Sequence, residues 1–262
     1  MDTQSSWITP PESLTLNNDE VHAWRSSLEM IPFHVKTLKQ ILSADELNRA
    51  DRFHFQKDSD HFIAARGFLR LILSKYLGIE PSEILFFYGP YGKPGLAEKI
   101  DGKSVRFNVT HSHGLAIYAV TRGRKIGVDL EYQRPDLVVE DIVEQCFPLR
   151  DIASIKAHPH HIQRLFFTYW TRKEACLKAL GMGLALDLNR VEFSATIGDP
   201  LYIRNISEKS RKASLWTLKD LDAGFGYAAA LAVEGYGLQL KCWQWENKSS
   251  KPLAEFHGFT RG

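Results

Sequence analysis

Cysteine is scarce in this chain, with three in 262 residues, at Cys146, Cys176 and Cys242. They stand far apart and form neither a disulfide framework nor a zinc spacing, which favours a reducing compartment. Apolar runs long enough to span a membrane are absent, so no membrane partner is expected. The N-terminus shows no basic stretch followed by an apolar core, so no secretory leader is expected and the chain reads as cytoplasmic. Net charge is nearly absent too: 33 Lys and Arg against 31 Asp and Glu leave +2. That is too little to imply a nucleic-acid partner. Also missing are a Walker phosphate loop, a dinucleotide glycine fingerprint, a zinc finger and a nucleophile elbow. What is present is ordinary for a globular chain, 44% hydrophobic and 24% charged. There is length enough for one or two domains.

Two stretches carry chemistry. Gly127-Val-Asp-Leu-Glu-Tyr132 reads as a short strand. Side chains alternate along a strand, so Asp129 and Glu131 share a face opposite Val128 and Leu130. Like charges side by side repel, unless a cation lies between them or that face is open to water. Trp170-Thr-Arg-Lys-Glu-Ala-Cys-Leu-Lys178 reads as a helix. Trp170, Glu174 and Lys178 fall four residues apart on one stripe. A surface ion pair is the ordinary reading of Glu174 and Lys178. Here the stripe borders the apolar side made by Phe166, Leu177 and Leu180, and Lys173 borders the same side. Paired carboxylates on a strand, with an acid and a lysine on a helix, suit a divalent ion holding a phosphorylated ligand.

Weaker candidates surround them. His111 and Ser112 close a polar cluster, Asn108 to Ser112, and could meet phosphate oxygens, although a lone strand-end histidine is commonly structural. Lys93 sits in the turn Gly92-Lys-Pro-Gly95. Arg66 and Arg70 lie one helical turn apart and either grip a phosphate together or sit solvated on the surface. His158-Pro-His-His161 reads as a polar loop.

The expected organisation is α+β. Strands are expected at 20–28, 84–88, 106–110, 115–121, 127–132 and 191–194. The spacing predicts helices from the Ser43/Glu46 capping pair toward Phe53, over 58–77 and over 163–180. Segments 215–218, 227–233 and 238–245 read as one antiparallel set. The stretches 116–130 and 228–240 read as hairpins that look alike: an alanine-rich strand, a glycine turn, another strand. This suggests either a duplicated helix-plus-sheet module or a chance likeness of two alanine-rich stretches; if duplicated halves pack face to face, the cleft between them would hold the site. The divisions are 1–124, 125–246 and a tail at 247–262.

In this order the chain carries Arg52-Phe53, Ala64-Ala-Arg-Gly67, Gly92-Lys-Pro94, Phe107-Asn-Val-Thr-His-Ser112, Gly127-Val-Asp-Leu-Glu131, and Trp170-Thr-Arg-Lys-Glu-Ala175 continuing through Lys178 to Gly181. Together these resemble the Sfp-type 4'-phosphopantetheinyl transferases over residues 44–193, nearest the subgroup found in cyanobacteria. Thr110 departs from the serine of many members but keeps a hydroxyl. The resemblance implies the pseudo-dimer fold, two similar α/β halves with the ligand cleft between them. It implies transfer of the 4'-phosphopantetheine arm of coenzyme A to a serine of an apo acyl or peptidyl carrier protein, releasing adenosine 3',5'-bisphosphate. It implies Mg2+, with Mn2+ as the alternative ion, held by Asp129, Glu131 and Glu174.

His111 and Lys178 would contact the pyrophosphate. Lys93 with Pro94, Arg66 and Arg70 would take the other phosphate or the ribose. Thr110 and Ser112 would add hydroxyl contacts, and Lys173 would border the coenzyme. Arg49 stands where some members use a lysine toward the adenosine phosphate. Glu174 is the family's usual candidate for the base that deprotonates the serine, and a water held by the ion is the other. The implied partners are an acyl carrier protein or the carrier domains of polyketide and peptide synthases, with a monomer as the default state. Segment 133–155, with Phe147, Leu149 and Arg150, is a guess for carrier docking. Two rival readings use the same residues: a Mg2+-dependent phosphohydrolase or nuclease, and a non-catalytic coenzyme A binding protein.

Overall fold

The computed structural model describes residues 6–97, 104–181, 201–202 and 215–245. The expected strand at 191–194 and the tail at 247–262 lie outside the described residues. The first half runs β1 (Glu20–Ser27), α1 (Pro32–Lys39), α2 (Ala44–Ala50), α3 (Gln56–Leu77), β2 (Phe86–Tyr88), β3 (Pro94–Leu96), β4 (Val105–Ser112) and β5 (Leu115–Arg122). The second runs β6 (Ile126–Tyr132), α4 (Glu140–Cys146), α5 (Leu149–Lys156), α6 (Ile162–Leu180), β7 (Leu201–Tyr202), β8 (Leu215–Asp220), β9 (Tyr227–Glu234) and β10 (Gln239–Gln244).

The expected repeat is visible in the plan of these elements. One sheet has the order β10-β1-β5-β4 and the other β6-β9-β8-β7. In each half a strand leads through helices to one long helix, then to an antiparallel pair that docks beside the first strand. Both long helices close on a left-handed glycine, Gly78 (φ 68°) and Gly181 (φ 72°), which any side chain there would strain. The serine cap and Glu46 form the capping box that starts α2.

Alternation along the strands builds four layers. Ala116, Tyr118 and Val120 of β5 face α1–α3 with Trp24, Phe68 and Ile72. Ile117 and Ala119 face the other way and meet Val128, Leu130, Leu231 and Val233 of the second sheet. Ala230 and Ala232 then face α6 through Ala175, Cys176 and Ala179. The small residues of β9 let α6 lie close to its sheet.

Two expectations are corrected. β10 does not join an antiparallel set with β8 and β9; it pairs parallel with β1, Ala23 opposite Cys242. The reason is steric. β9 already has β6 on one side and β8 on the other, and Gly235 (φ 103°) and Gly237 (φ 70°) turn the chain away. The 116–130 stretch is likewise no hairpin, because β5 and β6 belong to different sheets. The division at residue 124 therefore follows the repeat in the sequence, while the C-terminal strand returns to the first sheet and brings Trp243 and Trp245 into its core.

Candidate active site

β4 and β6 are edge strands of their two sheets, and they face each other across the seam. Exposed edges leave backbone groups unpaired. Here two side chains of β4, Asn108 and Ser112, supply missing backbone partners, and Thr110 between them meets a side chain. Asn108 Oδ1 accepts from Val128 N–H at 2.8 Å. Thr110 Oγ1 stands 3.4 Å from Asp129 Oδ1. Ser112 Oγ accepts from Tyr132 N–H at 3.1 Å and donates to Glu131 Oε2 at 3.2 Å. The polar run at 108–112 is thus the stitching of the seam, and His111 and Ser112 belong to β4 rather than to the loop after it.

Gly127 positions the helix against this seam. A Cβ there would lie 2.0 Å from the Ala175 carbonyl oxygen and 2.3 Å from the Ala179 nitrogen. Only glycine permits α6 to approach so closely. That approach brings Glu174 and Lys178 to the Asp129 face of β6. Lys178 Nζ donates to Asp129 Oδ1 at 2.6 Å and to Thr110 Oγ1 at 3.2 Å. Lys93, from the turn between β2 and β3, donates to the carbonyls of Ile126 (2.9 Å) and Lys178. It ties the start of β6 to the last turn of α6. Burial, then Arg106 and Lys178, lower the Lys93 ammonium to about 8.

The electrostatics record a crowd of acids. Burial and then Asp129 push the Glu174 carboxyl above its ordinary range, with Glu131 adding to it. The same two causes raise Glu131. Asp129 is 3% exposed and Glu174 7%. Each keeps one buried carboxylate oxygen without a hydrogen-bond partner, Asp129 Oδ2 and Glu174 Oε1. Such oxygens are costly unless something cationic meets them. Hard carboxylate oxygens of this kind fit Mg2+ or Mn2+. Among the described residues no three His, Cys, Asp or Glu side chains form a ready-made ion cage. The reason is local: Asp129 is turned to Lys178 and Glu131 to Ser112. The fit is carried by Asp129 and Glu174, with Glu131 the outer member. His111, between Thr110 and Ser112 on β4, takes the alternate face of the strand and is exposed, yet desolvation, then Lys178 and His61, hold its imidazole below the usual range.

Other expected site residues have different partners. Arg70, 1% exposed, donates to Glu46 Oε2 at 2.7 Å and to the carbonyls of Pro81 and Ile84. Its guanidinium is spent inside the helical layer, so a phosphate role is withdrawn. Arg66 donates to Glu46 Oε1 at 2.8 Å and to Tyr88 Oη at 2.9 Å, under the Phe86 ring. Burial works against the Glu46 carboxylate, yet Arg66, the Ser43 N–H and Arg70 outweigh it and hold its pKa low. Arg66 is therefore first a partner of Glu46, with only its tip near the surface.

Lys173 is fully buried, 2.7 Å from Asp151 and over the Phe147 ring. It faces α4 and α5, not the seam, and its coenzyme role is withdrawn as well. Pro94 opens β3, paired with Tyr88. Arg49 is exposed and lines a cleft of about 600 Å³ with Asp45, Asn48, Arg52 and Phe53. Three residues that shape the site were given no part in it from the sequence: Asn108, Gly127, and Glu46, which was expected only as a helix cap. The period-two spacing of Asn108, Thr110 and Ser112 was the available signal for the first.

A two-half α+β chain with buried acids and a lysine at its seam is suited to an enzyme that handles a phosphorylated ligand. Residues 125–232 match the model of the 4'-phosphopantetheinyl transferase superfamily, and 22–122 match that of the 4'-phosphopantetheinyl transferase N-terminal region. The chain is 40% identical to 4'-phosphopantetheinyl transferase HetI of Nostoc sp. over 243 residues, 92% of this chain and 99% of that one. It is 29% identical to a putative 4'-phosphopantetheinyl transferase of Synechocystis sp., covering 73% and 79%. With a 4'-phosphopantetheinyl transferase of Bacillus subtilis the identity is 25%, covering 78% and 88%. Among solved structures, the holo-[acyl-carrier-protein] synthase of Thermotoga maritima matches at TM-score 0.33 and 21% identity, over 42% of this chain and 62% of that one. That last likeness is too loose to carry an argument. The chain belongs to the 4'-phosphopantetheinyl transferases.

Proposed function

We propose that the seam is where this enzyme transfers the 4'-phosphopantetheine arm of coenzyme A to a carrier-protein serine. The observation that carries the reading is the pair of buried, unpartnered carboxylate oxygens of Asp129 and Glu174 beside the Lys178 ammonium. A divalent ion, Mg2+ or Mn2+, held by Asp129, Glu174 and the outer Glu131, supplies charge neutralisation to the diphosphate. Lys178 and His111, near enough for the ammonium to depress the imidazole, contact the diphosphate oxygens. Thr110 and Ser112 hold the carboxylates from the β4 side and add hydroxyls. Lys93 contributes its positive charge from beneath, and the cleft at Arg49 and Arg52 receives the adenosine phosphate.

In the step itself, the serine oxygen bonds to the phosphorus that bears the pantetheine arm. The bond from that phosphorus to the bridging oxygen breaks, and adenosine 3',5'-bisphosphate leaves with the electron pair. The serine proton goes to Glu174, whose raised pKa brings it nearer the working pH than an ordinary carboxylate. For the carrier surface, Leu149 and Val138 are exposed while Phe147 is buried in the α4–α6 core. Docking there would use the first two. Among the described residues no helix is long and apolar enough to cross a membrane.

The test is incubation with coenzyme A, Mg2+ and a panel of apo acyl and peptidyl carriers, read by intact mass. Gain of the arm on a carrier supports the reading. Nucleotide release without a carrier supports a phosphohydrolase, and tight coenzyme binding with no gain supports a binding protein.

A further inference from the structure

We propose that His113, Tyr132 and Tyr227 form an aromatic clip that positions Glu131 through the Ser112 hydroxyl. His113 is the one described non-glycine residue with positive φ, at 47°. A non-glycine residue in that region is strained, although histidine tolerates it better than most. Two contacts hold it there and a third braces them. Its ring stacks on Tyr132 at 4.2 Å and 13°. Its carbonyl oxygen accepts from Tyr227 Oη at 2.8 Å. Tyr227 in turn packs edge-on against Tyr132 at 5.4 Å and is its cross-strand partner.

The clip therefore gathers the β4–β5 turn, the end of β6 and the start of β9. Ser112 precedes His113, and Tyr132 follows Glu131. The Ser112 hydroxyl accepts from Tyr132 N–H, so its one proton is left for Glu131 Oε2. Holding Tyr132 against His113 fixes both ends of that relay and so the direction of the Glu131 carboxylate. Partners at this remove from an ion change its affinity by about tenfold or more when lost.

The inference rests on the transferase reading for its purpose, and its test is chosen to separate the two. The full-length protein is titrated with Mg2+ alone, reading the melting temperature, and its transfer kinetics are measured alongside. His113→Gly and His113→Asn both suit a positive φ but lack the ring, so their ion-free melting temperatures should equal or exceed the parent's. The Mg2+ concentration at half-shift should rise about tenfold. Their kcat should fall with it, and KM for coenzyme A should hold. Tyr132→Leu should behave alike, while Tyr132→Phe, which keeps the stacking face, should match the parent. Parent-like half-shift and kcat in both His113 variants would overturn the clip, as would a lowered melting temperature with no change in half-shift. A parent that responds to Mg2+ but transfers no arm would sink the transferase reading while the titration still judges the clip. A parent whose melting temperature ignores Mg2+ would end the clip.

Discussion

The surroundings of Glu174 work against its ionised form. Burial and the neighbouring Asp129 raise its pKa above the ordinary 4.5. The folded chain therefore holds that proton more tightly than the unfolded one. The resulting penalty is absent well below 4.5 and complete above the raised folded value. Glu174→Gln, alike in shape and uncharged, should remove it, so the ion-free variant should melt higher than the parent near pH 7. Transfer should fall by about a hundredfold or more while coenzyme A binding holds. Equal losses in both, measured by calorimetry and single-turnover kinetics, would make Glu174 an ion ligand only. The same shifts set the pH profile. Glu131 and Glu174 both titrate above the ordinary glutamate value. Mg2+ affinity and transfer should therefore decline together as pH falls through a window above 4.5, and a transfer rate flat down to 4.5 would contradict this. At this scale the sequence was readable where chemistry and position coincide: Asp129, Glu131, Glu174 and Lys178 lie where alternation and the four-residue stripe put them. Arg70 and Lys173 were misread because a basic residue on an amphipathic helix does not announce its partner. Glu46 and Asp151 lie 24 and 22 positions away, brought in by tertiary packing.

The element that decides the site is the β6–α6 contact. Gly127 lets the helix backbone rest on the strand, and Lys178 reaches Asp129 because of it. Gly127→Ala drives a methyl group into backbone atoms that cannot turn aside. It should cost about 3 kcal/mol or more, read as a shifted denaturant midpoint with unchanged slope. A midpoint within error of the parent would show that α6 is not seated as described. The glycine was legible as part of a motif but not as a contact point, since nothing in one strand tells which helix lies on it. The same limit explains β10. Its alternation marked a strand correctly, but sequential strands usually pair, and only the occupied flanks of β9 send it to β1.

As a whole, the molecule is two copies of one plan joined by an exchange. The repeat was readable from two alanine-rich strands, each followed by a glycine turn; the return of β10 was not. Fragment 1–124 lacks the strand that supplies Trp243 and Trp245 to its core. Expressed alone it should give the dispersionless amide spectrum of an unfolded chain, and co-expression with 125–262 should restore folding and transfer. A folded isolated fragment would contradict this account. The central claim is that acids meeting at the seam carry phosphopantetheine transfer. It is tested most directly by intact mass of an apo carrier after incubation with coenzyme A, Mg2+ and either parent or Asp129→Ala. The account predicts modified carrier with the parent and a rate at least about a hundredfold lower with the variant. Equal modification by both, or none with the parent across the carrier panel, would contradict it.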